Sequence, residues 1–282
     1  MSQTDAISPG EGLAFAVEAV ILLAGLGLLW RLVLSARGRA NSRALLPEWR
    51  LPGVDFACYV FFALAGFVVL GTTVGLVLRR FPLDPDTALI TGGAAQDVGL
   101  LLGVAGFHLF YRRAAPAPSA GAPPVSIFRS GLATFLIAMP VVVAATNASE
   151  FVIVRLGLPD VKQPVVDILQ TTHSVPLKCL LVLVAGLLAP LAEEIVFRGG
   201  LFRYFRTRVP RWAAITVTSL LFGALHVSWG DLAGLPAFVP MTLLAAVFCL
   251  AYERTGRIGT VIFAHALFNL NMMALALAGL GQ

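Results

Sequence analysis

The sequence predicts an all-α polytopic membrane protein with about eight transmembrane helices. Hydrophobic residues make up 58% of its 282 residues and charged residues only 12%, and the mean hydropathy is +0.87. A soluble domain carries about a quarter charged residues, so this composition is typical of a chain that lies mostly in lipid. Many apolar stretches also reach the roughly 20 residues that a helix needs to cross the hydrocarbon.

Eight apolar segments are predicted to span the bilayer, and the loop after the fourth is expected to hold a short interfacial helix near 165–170. The third segment is interrupted by Gly92, Gly93, Gln96 and Asp97, and the sixth is short. The segments cover residues 13–34, 54–78, 88–111, 127–148, 175–197, 212–229, 233–252 and 258–280.

The placement of basic residues tests this count independently. Loops after the odd-numbered spans hold fourteen of the 20 Lys and Arg residues, whereas the termini and the other loops hold four. Cytoplasmic loops carry the excess of basic residues, so the odd loops are predicted to be cytoplasmic and both termini outside. The net charge of +5 is interpreted as this topology signal and not as nucleic-acid binding. The fourteen are Arg31, Arg37, Arg39, Arg43, Arg50, Arg112, Arg113, Arg129, Arg203, Arg206, Arg208, Arg211, Arg254 and Arg257.

A change of composition divides the chain. Residues 114–126 form a Pro/Ala/Ser stretch that cannot continue a helix and is interpreted as a cytoplasmic linker. It separates three N-terminal helices, in 1–113, from a five-helix core in 127–282. Residues 1–12 contain no Lys or Arg, so no cleavable signal peptide is expected. The three cysteines lie in apolar runs and indicate no disulfide framework.

The first polar cluster lies at the end of the fifth span. Glu194 and Arg198 are four residues apart and can pair on one helix face. Glu193 points about 100° away from Glu194 and is left without a local counter-charge, which suits a general base. An ordinary ion pair at an interfacial helix end is the alternative interpretation.

Two more clusters lie in the sixth and eighth spans. Phe222 and His226 are four residues apart in the sixth span, and His265 and Asn269 are four apart in the eighth. Two polar side chains on one face of an apolar helix indicate a polar cavity or a polar partner helix. Each cluster could also be a packing histidine or a hydrogen bond between helices.

Together the clusters supply the parts that peptide hydrolysis requires. Glu193 would be the base for a water molecule, His226 would orient that water, and His265 and Asn269 would donate to the oxyanion. No serine or cysteine accompanies a base in this set, so a covalent nucleophile is not expected. Glu193 and His226 can lie at the same depth in the membrane only if the fifth helix continues to about Arg206. We therefore predict that it does.

The three motifs, in this order, resemble the CAAX-protease and bacteriocin-processing family, a group of intramembrane glutamic endopeptidases that includes the type II CAAX prenyl endopeptidases. They are Glu-Glu-x-x-x-Arg, Phe-x-x-x-His and His-x-x-x-Asn, on late helices within 175–275. The resemblance implies eight helices around a conical cavity open to the cytoplasm and the membrane. It implies the roles given above for Glu193, His226, His265 and Asn269, and supporting roles for Glu194, Arg198 and Phe222.

The resemblance also implies the partners. The substrate would be a peptide or protein, prenylated or not, reached from membrane lipid, with no nucleic acid involved. The Arg-, Ala- and Gly-rich composition suggests a bacterial cell membrane. Three other functions stay open: a scaffold or bacteriocin-immunity protein that binds without cutting, a zinc protease using Glu193, His226 and His265, and a small transporter. No cofactor is expected, because the chain has no His-Glu-x-x-His pair.

The remaining polar residues of the spans are interpreted more simply. Glu18, Asp97 and His108 lie outside the five-helix core and are isolated in the sequence. We therefore expect them to face neighbouring helices or the membrane interfaces.

Overall fold

A computed structural model describes residues 9–40, 44–111, 126–157, 164–227, 229 and 234–279. All regular structure in these residues is helical, which confirms the predicted all-α class. The helices are α1 (Pro9–Leu29, continued by a π-helical turn over Trp30–Leu34), α2 (Ala36–Ala40), α3 (Gly53–Leu78), α4 (Pro85–Phe110), α5 (Ile127–Arg155), α6 (Pro164–Thr171), α7 (Val175–Arg206), α8 (Arg211–Ala224), α9 (Leu235–Thr255) and α10 (Ile258–Leu277). The predicted linker, apart from its last residue, lies outside the described residues.

Seven helices in the described part of the chain are long and apolar enough to cross a membrane. The predicted count of eight is therefore not confirmed. The difference is α8, which the sequence extends over 212–229 but which ends at Ala224 after 14 residues. At 1.5 Å per residue it is about 21 Å long, well short of the roughly 30 Å hydrocarbon.

The helix of the fifth predicted span continues beyond its apolar run. This extra length is what allows the polar residues of different helices to lie at a common depth in the membrane. Helix α7 runs for 32 residues to Arg206, and this confirms the predicted extension. Two π-helical turns interrupt it, over Val184–Leu188 and Ile195–Phe202. Pro190 follows the first turn and has no amide proton for an α-helical bond, which favours a local change of register there. The two predicted carboxylates lie in the short α-helical segment between the turns.

Three of the predicted cytoplasmic loops meet at one end of the helix bundle. The Glu253 carboxylate forms ion pairs of 2.6 Å with both Arg206 and Arg211. The amides of Leu45 and Leu46 donate to the Glu253 carbonyl. We call this cluster the basic end. Its composition agrees with the prediction that these loops share one side, and that this side is cytoplasmic remains a prediction.

Two helix packings position the functional residues. Helices α5, α8, α9 and α10 enclose an apolar core that includes Phe135, Leu244 and Phe248. Helices α3 and α4 form a closely packed pair, in which Gly99 and Gly103 lie directly against the α3 backbone. Small residues allow such close approach between helices in lipid. The α3–α4 pair also packs against α7.

The predicted short helix in the loop after the fourth span is confirmed as α6, which covers Pro164–Thr171. Its Gln170 side chain donates to the carbonyl of Ala276 near the end of α10, at 3.3 Å. Helix α6 therefore covers the end of α10 that is far from the basic end.

Candidate active site

The buried centre of the site is the carboxylate of Glu194. The Arg198 guanidinium donates to its Oε1 at 2.8 Å, and His265 Nδ1 donates to the same oxygen at 2.9 Å. The side chains of Glu194 and Arg198 are both fully buried. The predicted pairing of Glu194 with Arg198 is therefore confirmed, and the structure adds His265 from α10 as a third member.

Aromatic rings enclose the guanidinium of this pair. Arg198 lies 4.5 Å from the centre of the Phe222 ring and 5.5 Å from that of Phe248. A desolvated guanidinium over an aromatic face is stabilised by the ring quadrupole. The Cys249 thiol and the Ser219 hydroxyl lie next to each other beside Arg198. The rings thus hold the cation in place and exclude lipid and bulk water from it.

Glu193 points to a different and more open surface of α7. Its side chain is 25% exposed, and its Oε2 lies 3.8 Å from His265 Nε2. That oxygen has no hydrogen-bond partner among the described residues. His265 therefore lies between the two carboxylates: its Nδ1 is bound to Glu194, and its Nε2 faces Glu193.

His226 is exposed and lies in the turn after α8, two residues beyond the end of the helix and not within a span as predicted. Its Nδ1 is 2.8 Å from the carbonyl oxygen of Phe222. Because a carbonyl only accepts hydrogen bonds, Nδ1 carries the proton, and Nε2 of the neutral ring has a free lone pair. The His226 ring is 4.6 Å from the Phe222 ring, which in turn is 6.1 Å from His265. Phe222 thus contacts both imidazoles and Arg198.

Asn269 lies one turn after His265 on α10. Its Nδ2 donates to the carbonyl of Ala185 at 2.7 Å, within the first π-helical turn of α7. An amide nitrogen has two protons, so one of them is still available to a substrate. The observed bond ties α10 to α7 just before the carboxylate pair.

The predicted residues come together to different degrees. Glu193, Glu194, Arg198 and His265 form one contact cluster, and Phe222 connects His226 to it. Within the described residues, no hydrogen bond or ion pair joins His226 to Glu193. Asn269 belongs to the same helix face as His265, but its recorded contact is to Ala185.

Asp97 faces a neighbouring helix, as predicted, but the sequence did not show that this helix carries Glu193. It lies on α4, which packs against α7, and it is close enough to interact electrostatically with Glu193. A carboxylate inside a span is costly and usually has a functional partner, and this is the signal that could have identified it. Glu18 does face a neighbouring helix, as predicted, because its Oε2 accepts from Asn271 at 3.3 Å.

The ligand set for a metal ion is incomplete. Among the residues that the structure describes, no three His, Cys, Asp or Glu side chains are grouped so that they could hold a metal. In particular, Glu193, His226 and His265 do not form such a group. The arrangement of the described residues does not fit the zinc alternative.

Comparisons with known proteins agree with the motif region. Residues 175–271 match the family model described as "Type II CAAX prenyl endopeptidase Rce1-like". The chain is 24% identical over 211 residues to a Bacillus subtilis protein named "Putative membrane peptidase YdiL", which covers 74% of this chain and 68% of that protein.

Two further relatives match over shorter stretches. An uncharacterised Mycoplasma capricolum protein is 33% identical over 102 residues, which are 36% of this chain and 29% of that protein. An uncharacterised 24.3 kDa Escherichia coli protein is 35% identical over 94 residues, which are 33% of this chain and 42% of that protein. No solved structure matches the chain. The match at 175–271 and the YdiL relative together support a relationship between this membrane protein and the Rce1-like family of type II CAAX prenyl endopeptidases.

Proposed function

We propose that the protein is an intramembrane endopeptidase that uses a water molecule activated by Glu193 and His226. The observation that carries the proposal is the chain of contacts from Arg198 through Glu194 to His265, which ends beside the unpaired oxygen of Glu193. A buried, charge-balanced support next to one open carboxylate is the arrangement that a general base requires.

The reaction follows from these positions. Glu193 takes a proton from water while the water oxygen bonds to the carbonyl carbon of the scissile peptide. The carbonyl π electrons move to oxygen, and an N–H donor of Asn269 stabilises that oxyanion. His265 has its proton on Nδ1, so it would also donate there only after Nε2 gains a proton. When the intermediate collapses, the C–N bond breaks, and the proton held by Glu193 passes to the leaving nitrogen. The products are a carboxylic acid and an amine, and Glu193 is regenerated.

Arg198 and Glu194 would act through His265. An ionised Glu194 accepts from Nδ1, and this fixes the ring orientation, in the way that a buried aspartate orients the histidine of a serine protease. Without Arg198, the Glu194 carboxylate would be buried with no counter-charge, which is strongly unfavourable. The pair therefore favours one orientation and one tautomer of His265.

The substrate class comes from the membrane setting and the family. We propose a peptide or protein segment held at the membrane, with its scissile bond near the C-terminus and a neighbouring cysteine that is either prenylated or free. The basic end, predicted to be cytoplasmic, would be the side from which the substrate approaches.

The test is cleavage of a quenched fluorescent peptide ending in Cys-aliphatic-aliphatic-X, with and without a farnesyl group on the cysteine. Purified protein in liposomes should cleave one form, and Glu193→Gln should lower kcat by about 10³-fold or more. Glu18→Gln is the matched control, because Glu18 is a carboxyl in another span and its recorded hydrogen bond is to Asn271, which is not a member of this cluster.

Two outcomes separate the alternatives. Full activity of Glu193→Gln would refute the general-base assignment. If the wild-type protein binds both peptides and cleaves neither, it is a scaffold or immunity protein.

A further inference from the structure

Tyr59 on α3 contacts α7 immediately after the carboxylate pair, and it lies outside the matched region 175–271. Its hydroxyl donates to the carbonyl of Ile195 at 3.2 Å. The side chain is 1% exposed, and its ring makes edge contacts with Trp49 and Phe107, with ring centres at 5.6 Å and 5.4 Å. This position is therefore fixed by packing as well as by the hydrogen bond.

The accepting carbonyl belongs to the first residue of the second π-helical turn, Ile195–Phe202. In a π turn the amide that bonds to a given carbonyl lies five residues further along the chain, one more than in an α-helix. A carbonyl oxygen has two lone pairs, so Ile195 can accept from the Tyr59 hydroxyl in addition to an amide of α7. The Tyr59 hydroxyl thus adds a bond from another helix at the start of the π turn.

The packing at Gly200 shows that α7 fits Tyr59 closely. A Cβ on Gly200 would overlap the Tyr59 ring and hydroxyl. The preceding residue, Gly199, has room for a methyl group, since its nearest neighbours would be 3.9 Å and 4.0 Å away. Only the glycine that faces Tyr59 is sterically required.

The first π turn of α7 is held in a similar way. Asn269 on α10 donates to the Ala185 carbonyl within that turn. The carboxylate pair thus lies between two π turns, each bonded by a side chain from another helix. Asn269 belongs to a family motif, whereas Tyr59 comes from the N-terminal helices.

We propose that Tyr59 is a positioning residue for the Glu193 and Glu194 carboxylates and acts through the second π turn. This rests on the proposed hydrolytic function. The far end of α7 is anchored, because Arg203 donates to the Pro47 carbonyl at 3.1 Å and Arg206 is paired with Glu253. If the turn relaxed to the α register, the carboxylates would rotate by about 100° relative to that anchor. Glu194 would then lose His265.

The first experiment measures the turn itself and needs no substrate. Tyr59→Phe keeps the ring and removes the hydroxyl, and Tyr204→Phe is the matched control. Tyr204 stacks on Phe56 in the same aromatic cluster, and its hydroxyl lies beside Gly53. Amide hydrogen exchange over 195–202 should be at least about tenfold faster in Tyr59→Phe. It should be unchanged in Tyr204→Phe.

The second experiment connects the turn to chemistry. Tyr59→Phe should lower kcat for the quenched peptide by about tenfold and change KM by less than about twofold. Gly200→Ala should lower kcat more strongly, whereas Gly199→Ala, which adds the same methyl group one residue earlier, should be nearly normal. A purely structural role would lower the amount of folded protein without this difference between kcat and KM.

The outcomes separate this inference from the proposed function. Equal exchange over 195–202 in the two tyrosine variants would overturn the inference, whatever the enzyme does. Faster exchange with unchanged kcat would also overturn it, because the turn would then not control the carboxylates. If the wild-type protein cleaves no peptide, the proposed function fails, and the positioning role that rests on it falls too, even where exchange shows that Tyr59 holds the turn.

Discussion

Replacement of Arg198 by Met should be among the most destabilising single changes in the protein. It removes the guanidinium that is bonded to Glu194 and leaves a carboxylate that is fully buried. Breaking a buried pair by removing one partner costs about 3–5 kcal/mol, because the remaining charge has no compensation. The lost contacts with the Phe222 and Phe248 rings add to this cost.

Burial, and not distance, should determine this cost, and the chain contains a matched control. Arg50 and Glu48 form an ion pair at the same 2.8 Å distance, but their side chains are 87% and 62% exposed. Exposed pairs contribute about 0–1 kcal/mol. Arg50→Met should therefore leave the free energy of unfolding nearly unchanged.

The assay is equilibrium unfolding in mixed micelles with increasing SDS, followed by helix content. The double variant Arg198→Met with Glu194→Gln removes both charges and should recover at least about half of the loss. Equal losses of unfolding free energy in Arg198→Met and Arg50→Met would show that burial does not determine the cost. A double variant as unstable as the sum of the two single changes would show that the uncompensated charge on Glu194 does not determine it either.

Four further predictions concern other parts of the molecule. Asp97→Asn keeps the side-chain volume but removes a carboxyl group that interacts electrostatically with Glu193, so kcat in the peptide assay should fall roughly two- to tenfold with KM nearly unchanged. Glu18→Gln should change neither value. Glu253→Gln should lower the free energy of unfolding in SDS by about 1.5–3 kcal/mol, because it weakens two charge-assisted contacts at the basic end. A smaller loss would mean that other contacts hold these loops together. Gly103→Ala should lower the thermal unfolding midpoint because its Cβ would overlap the α3 backbone, and Gly75→Ala, with no atom within 4 Å, should be neutral. Treatment with a strong chelator should leave peptide cleavage unchanged, and loss of activity that added zinc restores would favour the metal-dependent alternative.

The parts of the site that the sequence predicted are those set by helix geometry. A four-residue spacing places Glu194 and Arg198 on one face in any α-helix, and the pair forms as expected. The extension of α7 to Arg206 could also be predicted, because charges at a common depth constrain where the helix ends. The spacing of residues along one helix and their depth in the membrane are therefore enough to predict this ion pair and this helix end.

The features that could not be predicted depend on contacts between distant parts of the chain. Nothing near Asp97 in the sequence indicates that α4 packs against Glu193, since that contact is set by how the glycine-lined α3–α4 pair meets α7. The sequence did not predict that α8 ends at Ala224, because apolar residues continue beyond that point. Hydropathy gives no information about where the backbone hydrogen bonds of a helix stop. The π turns have only one local signal, Pro190, and that signal precedes only one of them.

The adjacency of Glu193 and Glu194 explains why one turn of α7 can present both a buried carboxylate and a more open one. Residues one apart on a helix point about 100° apart, so the same turn of α7 presents Glu194 to Arg198 inside the protein and Glu193 to the more open side. Two carboxylates on one face would instead compete for the same guanidinium and repel each other. The His265 ring contacts both carboxylates, because its two nitrogens lie on opposite sides of the imidazole. Its Nδ1 is bonded to Glu194, and its Nε2 is 3.8 Å from Glu193. A rotation of α7 that improved one of these contacts would break the other, so the site depends on the helix being held in a single register.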